Sequence, residues 1–417
     1  MRKLISDVVV VGGGVAGVSA AIAAADTGAK TILVDRNPYY GGQATHSQVA
    51  AFCGFYTRGA KPDLAVGGVG GKVLEYLEKN GFSIDARPSK TTGNSTVKFD
   101  PEILKIIFDQ MLKEYGVDCY LHTALVGAKS ELGQISHVIC SDDEGLIEVS
   151  ANSFVDATGN ANLVNLAGLP TVWGDEEGNV QQSSLCFRLN GLPKREVTMV
   201  ELEEAIKKAK EVGFQGLYKE KGMIIKKPNE DFGYCTIPSV MVEDLSGKTL
   251  TRAEMNLRSQ VFAYTKAFKS FIPDFSNIEV VISGPEIGIR EARKIIGEKI
   301  LLGKDILAAK KVNDSIGRAA WSPELHKGDT SLEYRHIPDN EYASIPLGTL
   351  KVKECQNLWA AGRIISSDSL AFGSVRVMGT GFVTGQAAGV AAALSTNGKE
   401  VNIKDIQNEL LAQNAKL

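Results

Sequence analysis

Three glycines and one acid make the clearest chemical pattern in the sequence. In Gly12-x-Gly14-x-x-Gly17 the missing Cβ atoms allow a tight turn, close approach of a pyrophosphate to backbone, and close packing of a helix on a strand. Asp35 lies 18 residues beyond Gly17, where a carboxylate can accept hydrogen bonds from both hydroxyls of a ribose. A helix opening at Val15 and Ala16 would add free N–H groups and partial positive charge for phosphates. This pattern predicts dinucleotide binding. Proton transfer would need a group that titrates near neutrality, and the chain has 5 histidines. His46, close behind the glycine motif, is the leading candidate, with His326 and His336 after it. Arg376 is the candidate for holding a substrate carboxylate, with Arg290 and Arg318 as weaker candidates for the same work.

These residues need particular elements to position them. Val8 to Val11 is a short β-branched run suited to a parallel strand buried on both faces. The Ala-rich segment Val15 to Asp26 has high helix propensity, and Thr31 to Val34 reads as the strand that delivers Asp35. Asp100-Pro101 opens a further helix whose apolar face is Ile103, Leu104, Ile107, Met111 and Leu112. Four strand-like runs follow, at residues 117–126, 135–141, 146–150 and 153–157, leading into Ala157-Thr158-Gly159. Residues 171–340 differ in texture, with longer loops and polar helices such as Glu201 to Val212. They hold no second glycine-rich βαβ unit. Glu286 to Arg293 reads as helical, with Arg290 and Arg293 on one face, either as a functional pair or as an ion-paired surface. Near the end, Asn357 to Arg363 is strand-like. A glycine-rich loop from Gly373 to Gly381 then carries Arg376 into an Ala-rich helix, Phe382 to Leu394. Small residues Gly385, Ala388, Gly389 and Ala392 recur along that helix, so another element can approach closely.

Composition excludes several classes. With 417 residues, 44% hydrophobic and 23% charged, the chain is long enough for two or three structural units with a sizeable core. A formal charge of −3 gives no footprint for nucleic acid or an anionic membrane. The 6 cysteines form no C-x-x-C pair, so no metal or iron–sulfur site is expected. Val8–Ala25 and Val377–Thr396 lack charges but are rich in Gly, Ala, Ser and Thr, and read as buried structure rather than membrane spans. The terminal Ala415-Lys416-Leu417 resembles a peroxisomal tripeptide, yet a cytoplasmic location is the expectation. An oligomer is possible.

Four passages carry a family likeness: GGGVAG with GGQAT, FVDATGNANLVNLAG, REARKIIGE, and NLWAAGRIISSDSLAFGSVRVMGTGFVTGQAAGVAAAL. They resemble the FAD-dependent oxidoreductases of the broad glutathione-reductase and succinate-dehydrogenase-like group, nearly full-length and in order. The resemblance implies an α/β fold: a doubly wound Rossmann-like FAD domain with a small β insertion, from residues 1–170 and 341–417, and an inserted α+β substrate or cap domain at 171–340. It places Gly12, Gly14, Val15, Ala16, Gly17, Asp35, Arg36, Gly41, Gly42, Gln43 and Thr45 around FAD. Ala157, Thr158, Gly159, Gly362, Arg363, Gly379, Thr380, Gly381 and Phe382 complete that set. Two departures stand out. Arg363 follows Gly362 where relatives often carry an acid that contacts the ribityl and phosphate region, so that side-chain contact is not carried over. His46 stands where a small residue is usual. The implied activity is hydride transfer between a small organic substrate and flavin N5, with an electron acceptor the sequence does not name. Arg376 would hold a substrate carboxylate or stabilise reduced flavin, and His46 or Cys53 could bond the flavin 8α-methyl, although non-covalent FAD is expected. Alternatives are a flavoprotein with a tRNA-modifying or partner-binding role, and a thiazole-synthase-like enzyme that binds NAD.

Overall fold

A β-branched run buried on both faces is what Val8–Val11 requires, and the computed structural model provides it: all four valines are 0–3% exposed. The structure describes residues 1–90, 92–227, 229–327, 331–396 and 401–417. Strand β1 (Arg2–Val11) leads through the glycine turn into helix α1 (Val15–Asp26), and β2 (Thr31–Val34) returns parallel to β1, Val8 facing Thr31 and Val11 facing Val34. Helices α2 (Gly68–Lys79) and α3 (Pro101–Glu114) follow. The carboxylate of Asp100 caps α3 by accepting from the N–H of Glu102. Strand β3 (Asp118–Tyr120) then pairs parallel to β2.

A meander of β4 (Ala124–Glu131), β5 (Gln134–Asp142) and β6 (Gly145–Asp156) extends the sheet in the order β3-β2-β1-β6-β5-β4. The expected run 117–126 is split between β3 and β4. The two expected runs at 146–150 and 153–157 are instead one strand, β6. It stays continuous through polar Ser150–Asn152 because β1 pairs beside it from Arg2–Ile147 to Val11–Asp156.

Residues beyond this point build a second core. Strands β7 (Phe187–Asn190), β8 (Ile224–Ile225), β9 (Phe232–Cys235) and β10 (Glu279–Ser283) form an antiparallel sheet in the order β8-β9-β7-β10. It is backed by α4 (Met199–Glu211) and α5 (Gly247–Phe271), which bring Leu202, Ile206, Leu257, Tyr264 and Phe268 into one apolar cluster. Thr198 and Glu201 form a reciprocal capping box on α4. This core runs from Leu185 to Ala292, shorter than the expected 171–340, because Leu301, Ile306, Ile316, Ile337 and Ile345 pack into the first core with α1.

Glu286–Arg293 is not helical. Pro285 and Gly288 disfavour a helix, and Gly288 exchanges backbone hydrogen bonds of 2.8 and 3.2 Å with Ser184 instead. Arg293 opens a strand paired with Thr171–Trp173. Arg290 and Arg293 therefore do not share a face: one reaches Ser184, the other Asn160 and Asn162.

The chain ends by completing the first unit. After a hairpin of β11 (Glu324–Lys327) and β12 (Ser331–Tyr334), β13 (Leu358–Ala360) joins parallel to the last residues of β6. The expected glycine-rich loop is largely helical. Asp368 caps α6 (Ser369–Val375) by accepting from Ala371, and α7 (Met378–Leu394) starts four residues before the expected Phe382, at 92° to α6. The bend is at Val377, whose backbone is extended. Among the described residues no single helix is long and apolar enough to cross a membrane.

Helices α1 and α7 touch backbone to backbone. A Cβ on Gly385 would lie 2.2 Å from the carbonyl oxygen of Ala16, and one on Gly389 would lie 2.1 Å from that of Ala20. Gly389→Val should therefore lower the unfolding free energy in urea by about 3 kcal/mol, the upper end for an overpacked core. Gly71→Ala, where nothing lies within 4 Å, should raise it by up to about 1 kcal/mol through helix propensity.

Candidate functional site

The parallel strands β1, β2, β6 and β13 all end on one edge of the sheet, where ligands bind in open α/β folds. Val11, Val34, Ala157 and Ala361, at or next to those ends, line a cleft of about 620 Å³. That volume falls within the roughly 300–1,000 Å³ of small-molecule sites. Both helix N-termini open onto it, α1 through Gly14, Val15 and Ala16, and α7 through Val377, Met378 and Gly381. The second core closes it with Leu245, Ser246, Glu286, Ile287 and Ile289.

Neither α1 nor α7 has a side-chain cap or an acid in its first turn, whereas α3, α4 and α5 are capped by Asp100, Thr198 and Ser246. Two sets of first-turn N–H groups are thus left for a ligand. Gly14 has open space in front of it, since only the Cα of Gly42 lies within 4 Å of a Cβ placed there, at 3.9 Å. Asp35 accepts hydrogen bonds from the N–H groups of Gly13 and Asn37, and burial raises its pKa against these bonds. The loop Ala157–Gly159 is held from below by buried Asp156, which accepts from the Thr158 N–H at 3.0 Å, its hydroxyl at 2.7 Å and the Val164 N–H at 3.0 Å. These features fit a dinucleotide lying from Asp35 across the α1 N-terminus toward α7.

Most of the expected cofactor residues line this cleft: Gly12, Gly14, Val15, Ala16, Asp35, Arg36, Gly41, Gly42, Gln43, Ala157, Thr158, Gly159, Gly362, Arg363 and Gly381, together with Arg376. Five stand behind it. Gly17 lies beneath the turn, where a Cβ would meet the Gly12 carbonyl oxygen at 1.7 Å. Gly379 lets the first turn of α7 rest on the Cys53 carbonyl. Thr45 donates to the Tyr40 carbonyl at 2.6 Å, and Thr380 is buried with its hydroxyl unpartnered among the described residues. Phe382 belongs to an aromatic cluster with Phe52, Phe55 and Phe108. Arg363 lies over Gly159, donates to Asn160 at 3.0 Å and leaves its Nε unpartnered; burial lowers its pKa to about 10.

The histidine candidates separate. His46 follows the Gly42 loop, its ring tilted 53° to that of Tyr39, with Nε2 3.8 Å from Glu286, the acid that also pairs with Arg36. Burial lowers its pKa. His336 is exposed and stacks on Tyr334. Only His326 joins Arg376. Glu324 lies between them, its Oε2 3.2 Å from Arg376 Nη2 and its Oε1 3.4 Å from His326 Nε2, while Tyr334 donates to Oε1 at 2.9 Å. The side chains of Arg376, Glu324 and His326 are 12–14% exposed. Burial would raise the Glu324 pKa, but the His326 hydrogen bond and the Arg376 charge hold it well below the usual range. Burial, helped by the charge of Arg290, lowers His326 to about 3. His326 is therefore neutral near pH 7, with Nε2–H donating to Glu324 and Nδ1 left as the basic nitrogen. Glu324 and Tyr334 were not among the expected residues. Glu324-x-His326 was the available signal, because residues two apart in a strand share a face.

A mostly parallel sheet with two uncapped helix ends and the buried acid Asp35 on one cleft fits a dinucleotide-binding class. The chain belongs to the FAD dependent oxidoreductase family, whose profile matches residues 7–410. FAD is its cofactor, which replaces the alternative reading of an NAD-binding enzyme. No curated protein matches the chain. Among solved structures it is similar to a geranylgeranyl bacteriochlorophyll reductase-like protein from Thermoplasma acidophilum, at 13% identity and TM-score 0.50, over 99% of this chain and 85% of that one. It is also similar to a triple mutant of the flavin-dependent brominase Bmp2, at 14% identity and TM-score 0.52, over 98% and 84% of the two chains. At these identities the likeness is one of fold.

Gly14→Ala should fold with near-normal stability yet lose most of its bound FAD, measured as the flavin-to-protein absorbance ratio. Gly17→Ala should fail to fold. The acid limb of stability should also report His326. An unfolded imidazole titrates near 6.5 and the native one near 3, so between those values the unfolded state binds the extra proton. Stability therefore falls as pH drops through that window, by up to about 1.4 kcal/mol per pH unit for this one group. His326→Gln should flatten the slope by about one proton between pH 6.5 and 4.5, above the range in which Glu324 adds its own loss.

Proposed function

We propose that this FAD-dependent oxidoreductase transfers hydride between a small organic substrate and N5 of its flavin. The unit around the second core would act as the cap that holds the substrate. The observation that carries this reading is the contact of Glu324 with both His326 and Arg376, the latter a residue of the cleft wall.

Bound FAD supplies a two-electron acceptor, and the protein supplies orientation, charge and a proton path. His326 Nδ1 accepts the proton that a hydroxyl or amine must release as its carbon is oxidised. Glu324 fixes the tautomer by accepting Nε2–H, and Tyr334 and Arg376 in turn hold Glu324. The uncapped end of α7 and the guanidinium of Arg376 place positive charge where negative charge would accumulate. A separate acceptor, whether oxygen, a quinone or a protein, then reoxidises the enzyme.

The test is anaerobic mixing with a panel of hydroxy acids, amino acids, amines and sugars, watching the visible flavin absorbance. At least one member should bleach it, and bleaching by none of them would remove the reading. With that compound, His326→Gln should slow reduction roughly 10²–10⁴-fold at unchanged FAD content. An unchanged rate would take the base role away from His326.

A further inference from the structure

Behind Arg376, a residue of the cleft wall, lies a half-buried cluster in which cations outnumber acids. Arg290 donates through Nη2 to the Ser184 hydroxyl at 3.3 Å, while its Nη1 is buried with no partner among the described residues. Arg376 pairs with Glu324 through Nη2, but its Nε is also buried and unpartnered. Lys219 lies within electrostatic reach of both Arg290 and Glu324. Three cations thus lie within electrostatic reach of one carboxylate, which also accepts from His326.

Burying a guanidinium without an anion is costly, and the cost falls only when a hydrogen-bonding negative group is supplied. Burial and the neighbouring charge of Arg376 already pull the Arg290 pKa down to about 10, and burial with the charge of Arg290 pulls Lys219 to about 8. These are the marks of a site short of negative charge. Arg290 does not itself line the cleft, but it adjoins that wall in the chain. Arg290 follows Ile289, which lines the cleft, and a Cβ on neighbouring Gly288 would lie 2.8 Å from Oε1 of Gln43, another lining residue.

We propose that Arg290 and Arg376 form an anion subsite for the carboxylate of the substrate, which makes the substrate class a small carboxylic acid. The unpartnered Nη1 of Arg290 and Nε of Arg376 are the donors that would receive its oxygens, since guanidinium groups bind carboxylates through paired N–H bonds. The ligand's charge would have a second effect. Arg290 and Arg376 both depress the basicity of His326, so a carboxylate seated between them would offset that depression and make His326 a better proton acceptor. Only the bound acid would then switch on the base. The substrate assignment rests on the hydride-transfer reading, whereas the anion subsite does not.

The experiment uses the FAD-loaded protein and non-oxidisable probes. Acetate, malonate and benzoate are titrated against acetamide, benzamide and inorganic phosphate, read by calorimetry and by perturbation of the flavin spectrum. The carboxylates should bind and the amides should not. Arg290→Gln should weaken carboxylate binding by roughly a hundredfold, while its ligand-free melting temperature stays level or rises because an unpaired buried charge is gone. Arg290→Lys should restore part of the affinity. Amides binding as well as carboxylates, phosphate binding more tightly than any carboxylate, or full affinity in Arg290→Gln would each overturn the subsite. A fall in the melting temperature of Arg290→Gln with unchanged affinity would mark Arg290 as structural and overturn it too. If carboxylates bind but no member of the panel bleaches the flavin, the subsite stands and the hydride-transfer reading fails. If an uncharged donor bleaches it and no carboxylate binds, the reverse holds.

Discussion

The contact between α1 and α7 is the constraint on which the rest of the site depends. Gly385 and Gly389 let α7 lie directly on the Ala16 and Ala20 carbonyls, and the two helices come from opposite ends of the chain. Because they pack so closely, their uncapped amino ends open onto the same cleft. Close-packed interiors transmit even one methyl group of change. A side chain at either glycine would therefore separate the two positive ends as well as destabilise the core. The placement of both uncapped ends on the cleft is thus tied to a single helix–helix interface.

The unit built around the second core is attached to that frame by polar contacts. Glu286 reaches across to Arg36 and approaches His46, and Arg293 reaches the Asn160 carbonyl and Asn162. Lys294 and Glu291 form a buried pair, at 3.0 Å, that also engages the Gly174 carbonyl and the Gln181 N–H. Between these tethers, Ile287 and Ile289 present apolar surface to the cleft. Polar contacts thus surround an apolar wall where the second unit meets the first. Such interfaces are the ones within a chain that most readily permit relative movement.

The polar cluster behind Arg376 of the cleft wall is organised by Glu324. Its carboxylate meets a guanidinium, an imidazole and a phenol at once; the imidazole and phenol come from the paired strands β11 and β12, the guanidinium from the C-terminal end of α6. A buried network of this kind is rigid when satisfied and costly when it is not. Here the acid is satisfied and the arginines only in part. That asymmetry distinguishes the cluster from the surface ion pairs elsewhere in the chain, which would contribute little to stability.

Local chemistry was enough to read the βαβ unit from the sequence. The valine run, the glycine spacing, the alanine helix and the terminal Asp35 occupy consecutive positions, and each has a backbone reason to be there. The small-residue spacing of Gly385 and Gly389 likewise announced a close helix contact, although not its partner. Tertiary structure decided the remainder. The loop assigned to Gly373–Gly381 became two helices because Asp368 caps the first and extended Val377 turns the chain into the second. The helix assigned to Glu286–Arg293 gave way to pairing with Ser184, a partner about a hundred residues away in sequence. His46 and His326 are the same residue type, and only burial, the position of Glu324 and the approach of Arg376 tell them apart. Periodicity and spacing record what a residue does with its near neighbours. The charge environment of a side chain is set by distant segments, so it emerges only once the chain has folded.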